Sequence, residues 1–215
     1  MVDKVTVRNV DNISSSRGNI IFTWDGGFKQ WPTVRIPAIA DGNCLFHAIA
    51  SAYFKPYHTG TLNGAKISKR KVVKMLRREL AHKLSQPVDP LNPDSPIYYD
   101  TLSNGNLQEF SKSAPEFSLV NMKKILDSRE SLGYGFMEYI SDALNKDIYI
   151  LDEATEDVYV SNESNLYKGR NSLVLYYAHG HYDLVGLEDT NGDIVTYFAH
   201  DNEFIHFLRS RADRA

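Results

Sequence analysis

Three short runs rich in β-branched and aromatic residues, at 147–151, 172–177 and 182–185, come late in a chain whose earlier patterns are helical. After Cys44, the apolar residues Leu45, Ala48, Ile49, Ala52 and Tyr53 recur at helical spacing. A second helix is predicted over about 65–85, with Val72, Val73, Met75, Leu76, Leu80 and Leu84 as its apolar positions. Further helical patterns lie at about 119–128 and 135–145, and Asp201 can cap a closing helix that runs through Phe204, Ile205 and Leu208. Helices and strands alternate with no glycine-rich nucleotide loop. This order predicts an α/β fold with a small central β-sheet sandwiched between helices.

The 215 residues suffice for one well-cored domain with a small appendage. Residues 4–10 and 19–24 read as a β-hairpin or two short strands, so the division is drawn as an N-terminal β extension, 1–34, packed on a domain spanning 35–215. Between the second and third helices, about 86–118 forms a loop-rich insert punctuated by Pro87, Pro90, Pro93, Pro96 and Pro115. A connection of that length inside a compact domain is often functional.

Hydrophobic residues make up 42% and charged residues 24% of the chain, as in a water-soluble globular protein. A net charge of -3 argues against a dedicated nucleic-acid binder. The basic face of the second helix (Lys66, Lys69, Arg70, Lys71, Lys74, Arg77, Arg78, Lys83) therefore reads as solvated surface. One cysteine excludes an internal disulfide and cysteine-rich zinc modules. Neither a leader peptide nor a membrane span is expected, and the reading is a cytoplasmic monomer.

That cysteine stands in Asp41-Gly42-Asn43-Cys44-Leu45-Phe46-His47, where a polar turn runs into an apolar helix. A thiol at a helix start is beside main-chain N–H groups and the positive dipole end, which favour thiolate. The same donors can hold an oxyanion. A thiol nucleophile also needs a base and a group that orients the base. His179-Gly180-His181-Tyr182-Asp183 supplies both, because side chains two apart on a strand share a face. Cys44, His181 and Asp183 then form a nucleophile, base and orienter. His179 is the rival base, and His47 is assigned to packing or substrate contact.

These blocks resemble the ovarian tumour (OTU) cysteine proteases, most of which are deubiquitinases. Asp41 to Phe46 is similar to that family's nucleophile motif, and His181-Tyr182-Asp183 to its histidine motif. Gly133-Tyr134-Gly135-Phe136-Met137-Glu138, leading into Ile148-Tyr149-Ile150-Leu151, resembles its middle block, with tyrosine where many relatives have tryptophan. The resemblance implies a papain-like OTU fold and hydrolysis of isopeptide bonds after the C-terminal glycine of ubiquitin. The implied partners are ubiquitin, polyubiquitin chains or ubiquitin-like modifiers, and no cofactor is implied. It assigns the oxyanion donors to the main chain at Asp41 and Cys44, with Gly42 and Asn43 shaping the turn. Tyr134 and Tyr182 are the expected walls of a channel for the substrate tail.

Two alternatives belong to other classes. One is an OTU-like module that binds ubiquitin without turnover. The other is a metallohydrolase using His179, His181 and Asp183, since His-x-His-x-Asp is a ligand pattern in some such enzymes. The usual continuation of that pattern is another histidine, and Leu184 stands there instead.

Overall fold

The computed structural model describes residues 27–132, 134–161 and 168–212. The hairpin expected within 4–24 lies outside the described residues. The chain enters through β1 (Thr33–Ile36) and then α1 (Cys44–Tyr53). A short α2 (Lys55–Thr59) and a two-stranded hairpin, β2 (Thr61–Leu62) and β3 (Ala65–Lys66), lead to α3 (Lys69–Lys83). The insert carries two single-turn helices, α4 (Tyr98–Thr101) and α5 (Leu107–Phe110), before α6 (Leu119–Asp127) and α7 (Met137–Leu144). Strands β4 (Asp147–Asp152), β5 (Asp157–Val160), β6 (Ser172–Ala178), β7 (His181–Glu188) and β8 (Ile194–Val195) follow, and α8 (Glu203–Ala212) closes the chain.

Six of these strands form one sheet in the order β1-β7-β6-β4-β5, with β8 also pairing with β7. Among the described strands only β4 and β6 run parallel. The three runs singled out in the sequence become β4, β6 and β7, and each extends by one to four residues beyond the expected span. Sheet alternation sorts their side chains between two cores. Ile148, Ile150, Leu173, Leu175 and Leu184 face a core shared with α1, α3, α6 and α7. Tyr149, Leu151, Val174, Tyr176 and Val185 face another, built with Phe198 and with Phe204, Ile205 and Leu208 of α8. The sheet is thus sandwiched between helices, as the order of elements implied.

Helix α1 is buried along its whole length from Cys44 to Ala52. A helix covered on every side must carry small or apolar residues nearly all round, and in CLFHAIASAY the exception, His47, is buried with the Tyr57 hydroxyl as its partner. It ends where Phe54-Lys55-Pro56 opens α2, because proline at a first turn cannot continue the preceding helix. No helix among the described residues is long and apolar enough to cross a membrane.

Two boundaries differ from expectation. The second helix begins at Lys69 rather than near 65, because Asn63 and Gly64, both at positive φ, turn β2 back into β3 first. Ser68 then caps the helix, accepting from the Lys71 N–H. At the last helix the capping oxygen belongs to Asn202, which accepts from the Phe204 N–H at 3.0 Å, and not to Asp201. The division drawn after residue 34 falls inside β1, whose four residues all pair with β7.

Candidate active site

Strand β1 sets up the site before Cys44 is reached. Arg35 and Ile36 pair with Val185 and Leu184 of β7, so the chain leaving β1 runs past Asp183. There the Ala38 N–H donates to Asp183 Oδ1 at 2.7 Å, and the Arg35 guanidinium pairs with Oδ2. Asp183 is 2% exposed, and a buried carboxylate persists only with such partners. Its third partner is His181, whose Nε2 lies 3.0 Å from Oδ1. Carboxylate oxygen only accepts, so Nε2 carries the proton and Nδ1 is left to receive one.

His181 opens β7 immediately after a two-residue turn in which His179 and Gly180 have φ of 51° and 78°. Positive φ at both positions is the geometry of a tight hairpin. The turn sends His179 out to solvent, where its Nδ1 meets Glu153 at 3.2 Å. The strand spacing that unites His181 with Asp183 therefore does not extend to His179, because the turn breaks the alternation. The trio needed for a metal reading is not assembled. Among the described residues no group of three or more His, Cys, Asp or Glu side chains could hold a metal ion.

Cys44 is the first residue of α1, and α1 packs against β7. Cys44 lines a cavity of about 610 Å³ together with Gly42, and with Gly180 and Tyr182, the two neighbours of His181. Tyr177 and Tyr159 complete an aromatic wall, and the Tyr177 and Tyr182 rings lie 4.7 Å apart. Tyr182 thus borders the same space as the thiol. The side chain of Tyr134, the other expected wall, lies outside the described residues. Tyr159 and Tyr177 were not distinguished in the sequence from the many aromatic residues that simply fill cores.

The loop before Cys44 is tightly determined. Gly42 has φ of 81°, and a Cβ there would stand 2.9 Å from the Arg129 carbonyl oxygen. Both the torsion and the space demand glycine. Asp41 accepts from the Asn43 N–H at 3.1 Å, and the Asp41 N–H itself donates to the Ile39 carbonyl at 3.1 Å. The N–H groups of Gly42 and Cys44 have no such partner among the described residues. Free donors in this loop are therefore those of Gly42 and Cys44, while that of Asp41 is engaged.

Behind the loop stands His47, fully buried on α1. Its Nδ1 lies 2.8 Å from the Tyr57 hydroxyl, and its Nε2 faces the Asp41 carboxylate at 3.3 Å. Burial pushes the imidazole below its ordinary range, against the pull of Asp41. Neutral His47 then accepts from Tyr57 and donates to Asp41. For Asp41, burial works towards a higher value, but hydrogen bonds from Asn43 and the nearby His47 outweigh it and hold the carboxyl below its usual range. Of the two readings of His47, packing or substrate contact, its full burial behind the turn fits packing.

One residue of the basic face departs from the solvated position expected of it. Arg77 is 3% exposed. The signal was present in the spacing: Val73, Arg77, Leu80 and Leu84 fall on one helical stripe, and the other three are buried.

No protein-family model matches the sequence, and no curated protein matches it. Solved structures do. A structure described as an ovarian tumour (OTU) domain in complex with ubiquitin aligns with TM-score 0.54 and 22% identity, covering 88% of this chain and 87% of that one. The OTU domain of OTUD1 aligns with TM-score 0.46 and 17% identity over 71% of this chain and 85% of that one. The viral OTU domain protease of Dera Ghazi Khan virus gives 0.45 and 14%, over 73% and 82%. With its order of strands, its two covered sheet faces and the first of these alignments, the chain has the fold of an OTU domain.

Proposed function

We propose that this chain is a deubiquitinating cysteine protease that hydrolyses isopeptide bonds after the C-terminal glycine of ubiquitin. The observation that carries the reading is that Cys44 and both neighbours of His181 border one cavity, while His181 is oriented by Asp183. An OTU domain solved with ubiquitin bound, similar along most of both chains, supports ubiquitin as the partner.

In this mechanism Nδ1 of His181 takes the proton of the Cys44 thiol, and the thiolate attacks the glycine carbonyl carbon. The oxyanion rests on the Cys44 N–H, with Gly42 N–H as the second free donor. Use of the Asp41 N–H requires its bond to Ile39 to open. The imidazolium, stabilised by Asp183, gives its proton to the departing lysine amine. Water deprotonated by the same imidazole then releases the acyl group and restores the thiol. Tyr177 and Tyr182 narrow the approach, so that a glycine tail enters and bulkier residues do not.

Linkage-defined ubiquitin dimers, incubated with the chain and with Cys44→Ala, test the reading. Cleavage by the first and none by the second is expected. Equal cleavage by both removes Cys44 as nucleophile. Binding without cleavage, together with no covalent capture by ubiquitin carrying a C-terminal electrophile, identifies the inactive module instead.

A further inference from the structure

We infer that Arg77 is a positioning residue for the reaction, which holds the turn before Cys44 in register through the side chain of Asn43. The inference rests on the proposed cysteine-protease reading and deepens it.

Arg77 lies in the middle of α3, and its guanidinium reaches away from that helix to three places. Nε donates to the Leu126 carbonyl at 2.8 Å. Nη2 donates to the carbonyls of Ile125 at 2.7 Å and Glu130 at 3.0 Å. Nη1 donates to Asn43 Oδ1 at 2.9 Å. The Phe46 ring lies beneath the guanidinium, 4.7 Å from its central carbon to the ring centroid. Ile125 and Leu126 belong to the last turn of α6, beyond the reach of its i→i−4 ladder, and the Ile125 carbonyl also accepts from the Ser128 N–H at the C-cap. The negative end of that helix dipole favours the buried cation, and the nearby carboxylates of Glu130 and Asp127 add to the attraction against the cost of burial.

The bond to Asn43 has a directional consequence. A guanidinium only donates, so the Asn43 oxygen must face Arg77 and its amide nitrogen must face the other way. That nitrogen then reaches Asp41, at 3.2 Å to Oδ1 and 3.3 Å to the main-chain carbonyl. Asp41, in turn, accepts from the Asn43 N–H. The turn is closed by its own side chains, and Arg77 selects the orientation in which it closes. Gly42 meanwhile rests on the carbonyl of Arg129, in the segment that Arg77 fixes through Glu130. Turn, α3 and the end of α6 are thus joined at one planar group. Arg77 also borders the cavity that contains Cys44.

A flexible ammonium cannot reproduce a fork that serves four acceptors. A small displacement of donors aimed at a transient oxyanion slows chemistry more than it weakens substrate binding. The test uses the full chain and ubiquitin whose C-terminus carries an amide-linked fluorophore. Arg77→Lys is expected to lower kcat by about 10²-fold with KM changed less than about twofold. Asn43→Ala is expected to do much the same. Because Arg77 acts through Asn43, the double variant should be no worse than about threefold below the poorer single one. Losses that multiply overturn the inference and leave Arg77 a support of α6 alone. If Arg77→Lys shows no cooperative melting transition, Asn43→Ala decides, since it leaves the three carbonyl bonds of the guanidinium in place. An unaltered kcat in that variant overturns the inference. Failure of the unmodified chain to release any fluorophore overturns the proposed function, and this inference with it. Turnover by the unmodified chain with multiplicative losses overturns the inference alone.

Discussion

Ala38 holds Asp183 Oδ1 through its main-chain N–H at 2.7 Å, and Ala38 precedes Cys44 by only six residues. The carboxylate proposed to orient the base is therefore gripped by the segment that runs from β1 to the proposed nucleophile. Asp183→Asn keeps the volume but removes the charge that stabilises an imidazolium, and it can reverse the tautomer of His181. The expected loss in kcat/KM is about 10³- to 10⁴-fold, beside a fall in melting temperature from the lost ion pair with Arg35. Steady-state kinetics beside a thermal melt would check it. Activity within tenfold of the unmodified chain would show that another group orients the base.

Gly42 is constrained twice, by its φ of 81° and by the Arg129 carbonyl oxygen, which would lie 2.9 Å from any Cβ at that position. Gly42→Ala should cost about 1–3 kcal/mol of stability, the usual size of a strained left-handed torsion. It should also lower kcat, because the displaced turn carries the free donors. Denaturant melts and turnover measure the two effects separately. A variant as stable and as fast as the original would mean that the turn relaxes freely.

His47 gives the fold a dependence on mild acid. Its folded-state pKa lies below the ordinary 6.5, chiefly through burial, with Lys69 and Arg70 adding to the effect and Asp41 opposing it. Between the lower folded value and 6.5, the unfolded chain binds a proton that the folded chain does not. Stability from this group is accordingly complete above about pH 6.5 and declines as the pH falls below it. Unfolding midpoints in urea measured from about pH 8 to about pH 5 should show that decline. The slope should flatten in His47→Gln, whatever that change does to stability at neutral pH.

Helix α8 covers the sheet face opposite to the one that α1 packs on. Phe204, fully buried there against Trp31 and Phe198, contributes packing and no chemistry. Phe204→Ala should therefore cost about 3–5 kcal/mol of stability. Well below its melting temperature, its kcat/KM should remain within about twofold of the original. A large kinetic defect in the folded variant would tie the two faces of the sheet together.

How far the sequence disclosed all this follows from what a linear pattern can express. The pairing of His181 with Asp183 was legible because alternation on a strand puts positions 181 and 183 on one side, and the place of Cys44 at a helix start because a polar turn there meets an apolar run. The long strands were legible through their apolar runs. Strand β5 was not, since its turn from β4 is Glu153-Ala154-Thr155-Glu156, with Glu156 at positive φ and neither glycine nor proline to mark it. Strand β1 is only four residues long and borrows its stability from β7, a partner about 150 positions away. Arg77 was hidden by its charge, although its spacing belonged to the buried stripe. The grip of Ala38 on Asp183 is a main-chain contact, and no side chain at position 38 advertises it.

The two-residue turn at His179 and Gly180 leaves no slack between β6 and β7. One extra amino acid within it would shift the pairing by a step and send imidazole and carboxylate to the far layer together. The connection at 189–193, distant from the cavity, is under no comparable demand. Length variation among descendants of this chain should accumulate in the second place and be purged from the first.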